Sequence, residues 1–326
     1  MNDLKQKILA AVEDDLNEIE EALSENLNPY LDLVSEVAGH LLFSGGKRLR
    51  PLLMVLSARI CGYTGNYEKT FSTALEYLHT ATLLHDDLVD GAKLRRGKQV
   101  ANAAWGNSIA VLVGDYLLAR ALSISAGTGR LRVIQVLAEL TENMSQGEVH
   151  QLMRKGHIDL AEEEYLEVIR RKTAMLFEAA CRVSAIIADA PAEKENALAE
   201  YGYNLGIAFQ MTDDLFDYTL TTSDFGKEVG ADLREGKLTL PVIFALSQAP
   251  PDDKELMIKI IRDRYFTVQD FKTLIELLHE HGGLTYTKKV AAGYIENSKN
   301  ALSIFQPSQT KDIMLDLADY ALARRV

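Results

Sequence analysis

Prolines stand at 29, 51, 191, 241, 250, 251 and 307, so residues 52–190 contain none. At a usual frequency of about 5%, a stretch of that length should hold roughly seven. Proline removes a backbone donor and clashes inside a helix, so this gap is what a succession of long helices requires. Apolar spacing agrees. In Tyr165, Leu166, Ile169, Met175, Leu176 and Ala180, apolar residues recur at three and four with charges between them. Similar patterns predict helices over 4–24, 30–44, 52–62, 67–90, 108–122, 131–153, 163–189, 195–218, 240–247, 254–263, 270–281, 285–303 and 311–323. Period-two alternation is nearly absent, and no Asn-Gly or Asp-Gly turn separates alternating runs. The expected fold is all-α, one domain over 1–326, with helices bundled around a central space.

Charge narrows the partners. The 326 residues carry 47 acidic side chains against 35 Lys plus Arg, a formal net charge of −12. A nucleic-acid partner is therefore not expected, because a phosphate backbone recruits a basic face. Cys61 and Cys181 lie in apolar stretches and are expected as core residues rather than a disulfide. The N-terminal Met1-Asn2-Asp3-Leu4-Lys5 lacks the basic-then-apolar pattern of a leader, and no window approaches 18 uninterrupted apolar residues. A cytoplasmic chain without a spanning segment is expected, its acidic first helix (Glu13, Asp14, Asp15, Glu18, Glu20, Glu21) facing solvent.

Two segments repeat one phrase. Asp86-Asp87-Leu88-Val89-Asp90 and Asp213-Asp214-Leu215-Phe216-Asp217 both spell Asp-Asp-Leu-x-Asp at the ends of apolar helical runs. At about 100° per residue, carboxylates four apart share a helix face. Asp86 then stands with Asp90, and Asp213 with Asp217. Like charges at that spacing repel, which calls for a cation. Oxygen-only ligands one turn apart suit Mg²⁺, which keeps positions for water and substrate phosphate. Stepping back from Asp90 along its helix face reaches Thr82 and His79. From Asp217 the same steps reach Gln210, Gly206 and Gly202, small residues that admit a close approach.

Cations gather beside both phrases. Ser44-Gly45-Gly46-Lys47-Arg48-Leu49-Arg50-Pro51 places a glycine pair before three of them; Lys93-Leu94-Arg95-Arg96-Gly97-Lys98 follows the first phrase. Lys227 and Lys237 follow the second, in a segment punctuated by Gly226, Gly230 and Gly236 that is expected to be a mobile loop. Arg suits bidentate phosphate contacts, and Lys supplies a compact charge. The pairing of acidic phrases with cations points to a diphosphate held jointly by Mg²⁺ and basic side chains.

Taken together, Gly45-Gly46-Lys47-Arg48-Leu49-Arg50-Pro51, His79, Asp86 to Asp90 with Arg95-Arg96-Gly97, Lys172-Thr173, Gln210 to Asp217 and Gly236-Lys237-Leu238-Thr239-Leu240-Pro241 resemble the trans-polyprenyl diphosphate synthases. The resemblance is strongest to the octaprenyl and other long-chain synthases that make quinone side chains. It implies an isoprenoid synthase fold around a deep apolar cavity, a homodimer, and Mg²⁺-dependent addition of isopentenyl diphosphate to an allylic diphosphate. By the same resemblance Asp86 and Asp90, supported by Asp87, hold Mg²⁺, and Asp213, assisted by Asp214 and Asp217, holds a further ion. Arg95, Lys172, Lys227 and Lys237 complete the allylic diphosphate site. Lys47, Arg50, His79 and Arg96 bind isopentenyl diphosphate, while Thr173 and Gln210 stand near the reacting carbons. Arg48 is not carried over. Ala231, where an acidic residue is usual, and Leu238, where proline is frequent, depart from the family pattern.

The family's short-chain members close the cavity with bulky aromatics four or five residues before the first phrase. Those places hold Thr82 and Ala81, so a long product is expected, handed on to a membrane, with a floor near Leu118, Leu122 and Ile124. A terpene cyclase would have no reason to keep the Lys47, Arg50, His79 and Arg96 set. A non-catalytic subunit of a heteromeric synthase would have lost one acidic phrase.

Overall fold

The computed structural model describes residues 2–95, 97–218 and 230–323, and these are helical almost throughout. The chain opens with α1 (Asn2–Ala11), α2 (Glu13–Asn26), α3 (Asp32–Leu42) and α4 (Leu49–Ile60), followed by the long α5 (Tyr67–Val89). A two-stranded hairpin, β1 (Leu94–Arg95) and β2 (Lys98–Gln99), pairs Leu94 with Gln99 and Arg95 with Lys98 and leads into α6 (Ala101–Trp105). Then come α7 (Asn107–Gly127), α8 (Leu131–Arg154), α9 (Glu162–Ile169), a π-turn (Arg170–Ala174), α10 (Met175–Ile187) and α11 (Ala192–Phe216). The remainder is α12 (Ala231–Arg234), α13 (Leu240–Gln248), α14 (Pro251–Arg262), α15 (Val268–Glu280), α16 (Gly283–Ala301) and α17 (Gln309–Ala323).

The prolines mark helix starts, as their fixed φ and missing donor favour: Pro241 opens α13 and Pro251 opens α14. Inside the proline-free stretch, α5 packs along α7 and α10 along α11, with α4 and α16 against that second pair. The main core runs through Phe71, Leu75, Tyr77, Phe177, Tyr201 and their neighbours. A second cluster, around Phe266, Phe271 and Leu274, joins α13, α15 and the residues after α11. Cys181 is buried as expected, which pushes its thiol up to about 12, whereas Cys61 is only half-buried at the end of α4.

Several expectations are corrected. The predicted helix 4–24 breaks at the buried Val12, so that α1 lies on α17 while α2 lies on α5 and α4. Its acidic face is split: Glu13, Asp14, Glu18 and Glu21 are exposed as expected, with Glu18 2.9 Å from Lys69, whereas Asp15 is buried against Arg59 and Glu20 is half-buried against Arg48. The predicted helix 163–189 is interrupted by the π-turn. That turn is closely packed from two sides: a methyl group at Gly147 of α8 would lie 2.7 Å from the Arg171 Cβ, and one at Gly206 of α11 would lie 2.6 Å from the Ala174 Cα. The small residues at 202 and 206 thus admit the helix carrying Lys172 and Thr173. Leu118 and Ile124 pack against the main core, but Leu122 is exposed and does not line the interior of this chain.

Among the described residues one helix, α7, is long and apolar enough to cross a membrane by length and composition, with Asp115 and Arg120 inside it. One side lies on α5 and α3. The other leaves Leu112, 63% exposed, in the open.

Candidate active site

The first acidic phrase occupies the last turn of α5, with Asp90 as its C-cap and the Asp90 N–H donating to the Asp86 carbonyl at 2.8 Å. Carboxylates here face the negative end of the helix dipole as well as each other, so local cations are needed. Three supply the need. The Lys172 ammonium stands 3.4 Å from Asp86 Oδ2 and also contacts Glu148 of α8. Lys237 stands 3.1 Å from Asp90 Oδ2 and Lys155 stands 3.3 Å from Asp90 Oδ1. The two acids respond differently. Burial raises the Asp86 pKa, with Glu148 and Asp90 adding to the rise against Lys172. Burial acts on Asp90 in the same sense, yet Lys237, Lys155 and Lys172 hold its carboxyl below the ordinary range. Asp87 lies on another side of α5. It is 3% exposed and accepts two bonds from the Arg95 Nε, at 2.8 and 3.0 Å. The hairpin therefore delivers Arg95 to Asp87 rather than leaving it loose.

The second phrase ends α11, with Asp217 as its C-cap. Among the described residues, Asp214 and Asp217 are met by neutral donors. The Tyr165 hydroxyl donates to Asp214 Oδ2 at 2.6 Å, and Gln210 Nε2 donates to Asp214 Oδ1 at 2.8 Å. Gln210 in turn accepts from the Thr173 hydroxyl at 2.8 Å. Asp217 accepts the backbone N–H groups of Ala231 and Asp232 at 3.1 and 3.2 Å. Burial raises Asp214, with Asp213 and Asp217 adding to it, and Asp217 and the neighbouring Asp232 are likewise raised. What position 231 contributes is its amide, which explains why alanine serves where an acid is usual. Leu238, the other departure, is buried in the second core cluster.

The glycine and cation segment between α3 and α4 is anchored by Arg48. This residue holds a left-handed backbone, φ +44°, which few non-glycine residues tolerate. The strain is sustained by a guanidinium that is almost wholly buried: it donates to Glu76 at 2.7 Å, to Glu20 Oε2 at 3.0 Å and to the Leu42 carbonyl. Arg48 is a structural clamp that leaves its neighbours Lys47, exposed, and Arg50, half-buried, at the start of α4. Arg50 Nη1 lies 3.2 Å from His79 Nε2, and its guanidinium sits over the Phe177 ring at 4.8 Å. The predicted Arg50 and His79 are thus brought together from α4 and α5.

A recess of about 130 Å³ opens beside these groups, lined by Lys155, Lys172, Thr173, Gln210, Asp214 and Lys237, among others. Short polar links therefore join the two phrases: Asp86 to Lys172, then Thr173 to Gln210 to Asp214, and Asp90 to Lys237. Arg96 and Lys227 lie outside the described residues. Lys155, Glu148 and Tyr165 were not singled out in the sequence. Each sits on a different helix from its partner, and no local spacing marks them. Asp232 showed only as the neighbour of the unusual Ala231.

The carboxylates fit a hard divalent cation. They offer oxygen alone, are buried or half-buried, occupy two dipole-negative helix ends, and at Asp214 and Asp217 are raised by burial. A separate group, Asp253, Glu280 and His281, lies on α14 and at the end of α15; there His281 Nε2 is already 2.9 Å from Asp253 Oδ2.

Residues 31–278 match the family model described as polyprenyl synthetase. The chain is 38% identical over 319 residues to the octaprenyl diphosphate synthase of Escherichia coli K12, covering 98% of each protein. Its fold is similar to that of a decaprenyl diphosphate synthase from Rhodobacter capsulatus, with a TM-score of 0.92, 38% identity and 98% of each chain covered. It matches equally a polyprenyl synthase from Caulobacter crescentus CB15 complexed with calcium and isoprenyl diphosphate, with a TM-score of 0.92, 39% identity and 98% of each chain covered. The chain belongs to the polyprenyl synthetase family and has its all-α isoprenoid synthase fold. It is a prenyltransferase that makes polyprenyl diphosphates from isoprenyl diphosphate substrates, in a family that works with a divalent metal.

Proposed function

We propose that the chain uses Mg²⁺ to condense isopentenyl diphosphate with an allylic diphosphate, giving a long all-trans polyprenyl diphosphate, octaprenyl first, for a quinone side chain. The observation that carries this reading is the short polar path through Lys172, Thr173 and Gln210 linking the two acidic phrases. Asp86 and Asp90 would hold metal on one side of the allylic diphosphate, with Asp87 fixing Arg95 beside them. Asp213, Asp214 and Asp217 would hold it on the other. Bound Mg²⁺ neutralises charge on the pyrophosphate as it leaves. Lys172, Lys237, Arg95 and Lys227 add positive charge around the same group. Lys47, Arg50, His79 and Arg96 orient the diphosphate of isopentenyl diphosphate, so that its double bond faces the allylic carbon. The allylic C–O bond breaks, the isopentenyl double bond forms the new C–C bond, and a proton passes to the released pyrophosphate. The Thr173 hydroxyl and the Gln210 amide present dipoles, without a nucleophile that would trap the cation.

Product length rests on the face of α5 leading to Asp86. The Thr82 hydroxyl donates to the His79 carbonyl at 2.8 Å, so it offers a growing chain only a methyl group, and Ala81 is packed within the core. No bulky ring stands at either position. Leu118 and Ile124 of α7 remain the floor candidates. Incubation with labelled isopentenyl diphosphate, farnesyl diphosphate and Mg²⁺, followed by chromatography of the dephosphorylated products, checks this. A dominant fifteen- or twenty-carbon alcohol would remove the long-chain assignment, and product formed without isopentenyl diphosphate would indicate a cyclase.

The same reading takes residues 1–326 as one catalytic domain acting as a cytoplasmic homodimer, whose product passes to a membrane. The outward side of α7 supports the dimer, since its most apolar window is only 33% buried within one chain. Leu112 and Leu122 of α7, and Leu131 at the start of α8, are exposed apolar side chains that a second copy would cover. Sedimentation should give twice the chain mass, and a Leu112→Glu substitution should shift it toward the monomer.

A further inference from the structure

We propose that Lys155, at the end of α8, is a further cation of the allylic diphosphate site; the inference rests on the diphosphate reading above. Lys155 is the C-cap of α8, with φ −60° and ψ 121°, and turns the chain out of the helix. The next residue, Gly156, takes φ +81° and donates its N–H to the Gly236 carbonyl at 2.8 Å. The two turns touch: a methyl group at Gly236 would lie 3.2 Å from both the Gly156 nitrogen and the Lys155 Cγ. This staple joins the end of α8 to the loop carrying Lys237. Consequently the two ammonium groups reach the two oxygens of Asp90, Lys155 at 3.3 Å from Oδ1 and Lys237 at 3.1 Å from Oδ2.

The bland alternative is a lysine that merely neutralises Asp90. The other partners argue against it. Lys172 keeps Glu148 in addition to Asp86, and Lys237 keeps Glu235 in addition to Asp90. Among the described residues, Asp90 is the one carboxylate within ion-pairing distance of Lys155. The adjacent Arg154 is engaged elsewhere, 3.1 Å from Glu164. When Asp90 turns its lone pairs to a metal ion, Lys155 alone of the three keeps no other carboxylate among the described residues within ion-pairing distance. It lines the recess with a side chain 26% exposed, close enough to solvent to move and buried enough for its charge to matter. A diphosphate arriving with the metal supplies the anion it then lacks, and a charge-assisted bond of this kind is stronger than a neutral one.

The test compares Lys155→Met with the charge-keeping Lys155→Arg in the full-length protein. Calorimetric titration with inorganic pyrophosphate in saturating Mg²⁺ should show about tenfold weaker binding to Lys155→Met and near-normal binding to Lys155→Arg. The KM for farnesyl diphosphate should rise by a similar factor while that for isopentenyl diphosphate stays put. Unchanged pyrophosphate affinity in a folded Lys155→Met protein overturns the assignment, as does an equal rise in both KM values, which would mark a structural role. Should Lys155→Met not fold, Lys155→Gln keeps most of the side chain and is read the same way. A wild-type protein that binds Mg²⁺ and pyrophosphate but does not elongate farnesyl diphosphate would defeat the functional reading instead, leaving the titration to decide Lys155 by itself.

Discussion

The two acidic phrases share their letters but not their surroundings. The first is held by ammonium and guanidinium groups brought from α8, the π-turn, the hairpin and the loop before α13. The second is held by a tyrosine hydroxyl, a glutamine amide and two backbone N–H groups. Asp90, with two lysines on it, is held below the ordinary carboxylate range, whereas Asp214 and Asp217, like Asp86, are raised by burial. One motif thus meets two solutions to the same repulsion. Among the described residues, cations stand at the first site, and the hydrogen-bond partners of Asp214 and Asp217 at the second are neutral donors.

The largest effect should come from deleting metal ligands. Asp86→Ala should lower turnover by about a thousandfold or more, since losing several kcal/mol of charge stabilisation corresponds to that factor. Its melting temperature should change little, because the substitution also relieves repulsion. Asp217→Ala should lower turnover too, but it strips the amides of Ala231 and Asp232 of their acceptor and should therefore also lower stability. Equal effects of the two substitutions on melting would break the contrast.

A middle-sized effect separates the helices beneath the phrases. At Gly206, on α11, a new methyl group meets the Ala174 backbone, whereas at Gly114, on α7 beside α5, it meets the His85 ring. A ring can rotate and a backbone cannot. Gly206→Ala should destabilise by about 1–3 kcal/mol, as overpacking usually does, and should lower turnover by displacing Lys172. Gly114→Ala should cost less in denaturant titration and leave turnover near normal. The reverse order would show that the π-turn is not wedged in place.

The smallest effect tests the charges themselves in metal-free protein. Asp214 has a raised folded pKa, so the fold binds more protons than the unfolded chain, and stability falls as pH climbs above the ordinary carboxylate value of about 3.9. Asp90 has a lowered pKa, so its contribution is present at neutral pH and is lost as pH falls through the lowered value. At neutral pH, Asp214→Asn should therefore stabilise and Asp90→Asn destabilise, each by about 1 kcal/mol, as read by denaturant midpoints. Excess Mg²⁺ should shrink the gain from Asp214→Asn, because the wild-type carboxylate then has its cation. Shifts of the same sign would refute the distinction between the sites.

Much of the site was legible because a helix converts spacing into direction. Steps of three and four placed Asp86, Asp90, Thr82 and His79 on one side of α5, and they placed Gln210, Gly206 and Gly202 on one side of α11. Arg48 was rightly set apart from Lys47 and Arg50, but its clamp on Glu20 and Glu76 was hidden, since both partners lie 28 residues away. The π-turn was hidden as well. It leaves the apolar pattern around Lys172 intact, and what packs closely on it, Gly147 and Gly206, belongs to other helices. Leu122 is exposed where a floor position was expected, because the apolar spacing of α7 does not say which of its leucines meets the interior.

The sequence by itself determined the helical class, through the proline gap and the three-and-four periodicity, and it located the two acidic phrases and most of the cations proposed to hold diphosphate. These are local matters, settled within a turn or two of backbone. Tertiary structure alone decided which cation stands at which carboxylate: Lys172 at Asp86, Lys155 and Lys237 at Asp90, Arg95 at Asp87. It also decided that Tyr165 and Gln210 would meet Asp214, and the amides of Ala231 and Asp232 would meet Asp217. Charge compensation acts through space over a few ångströms, between side chains the fold gathers from distant segments, and no spacing along the chain encodes it.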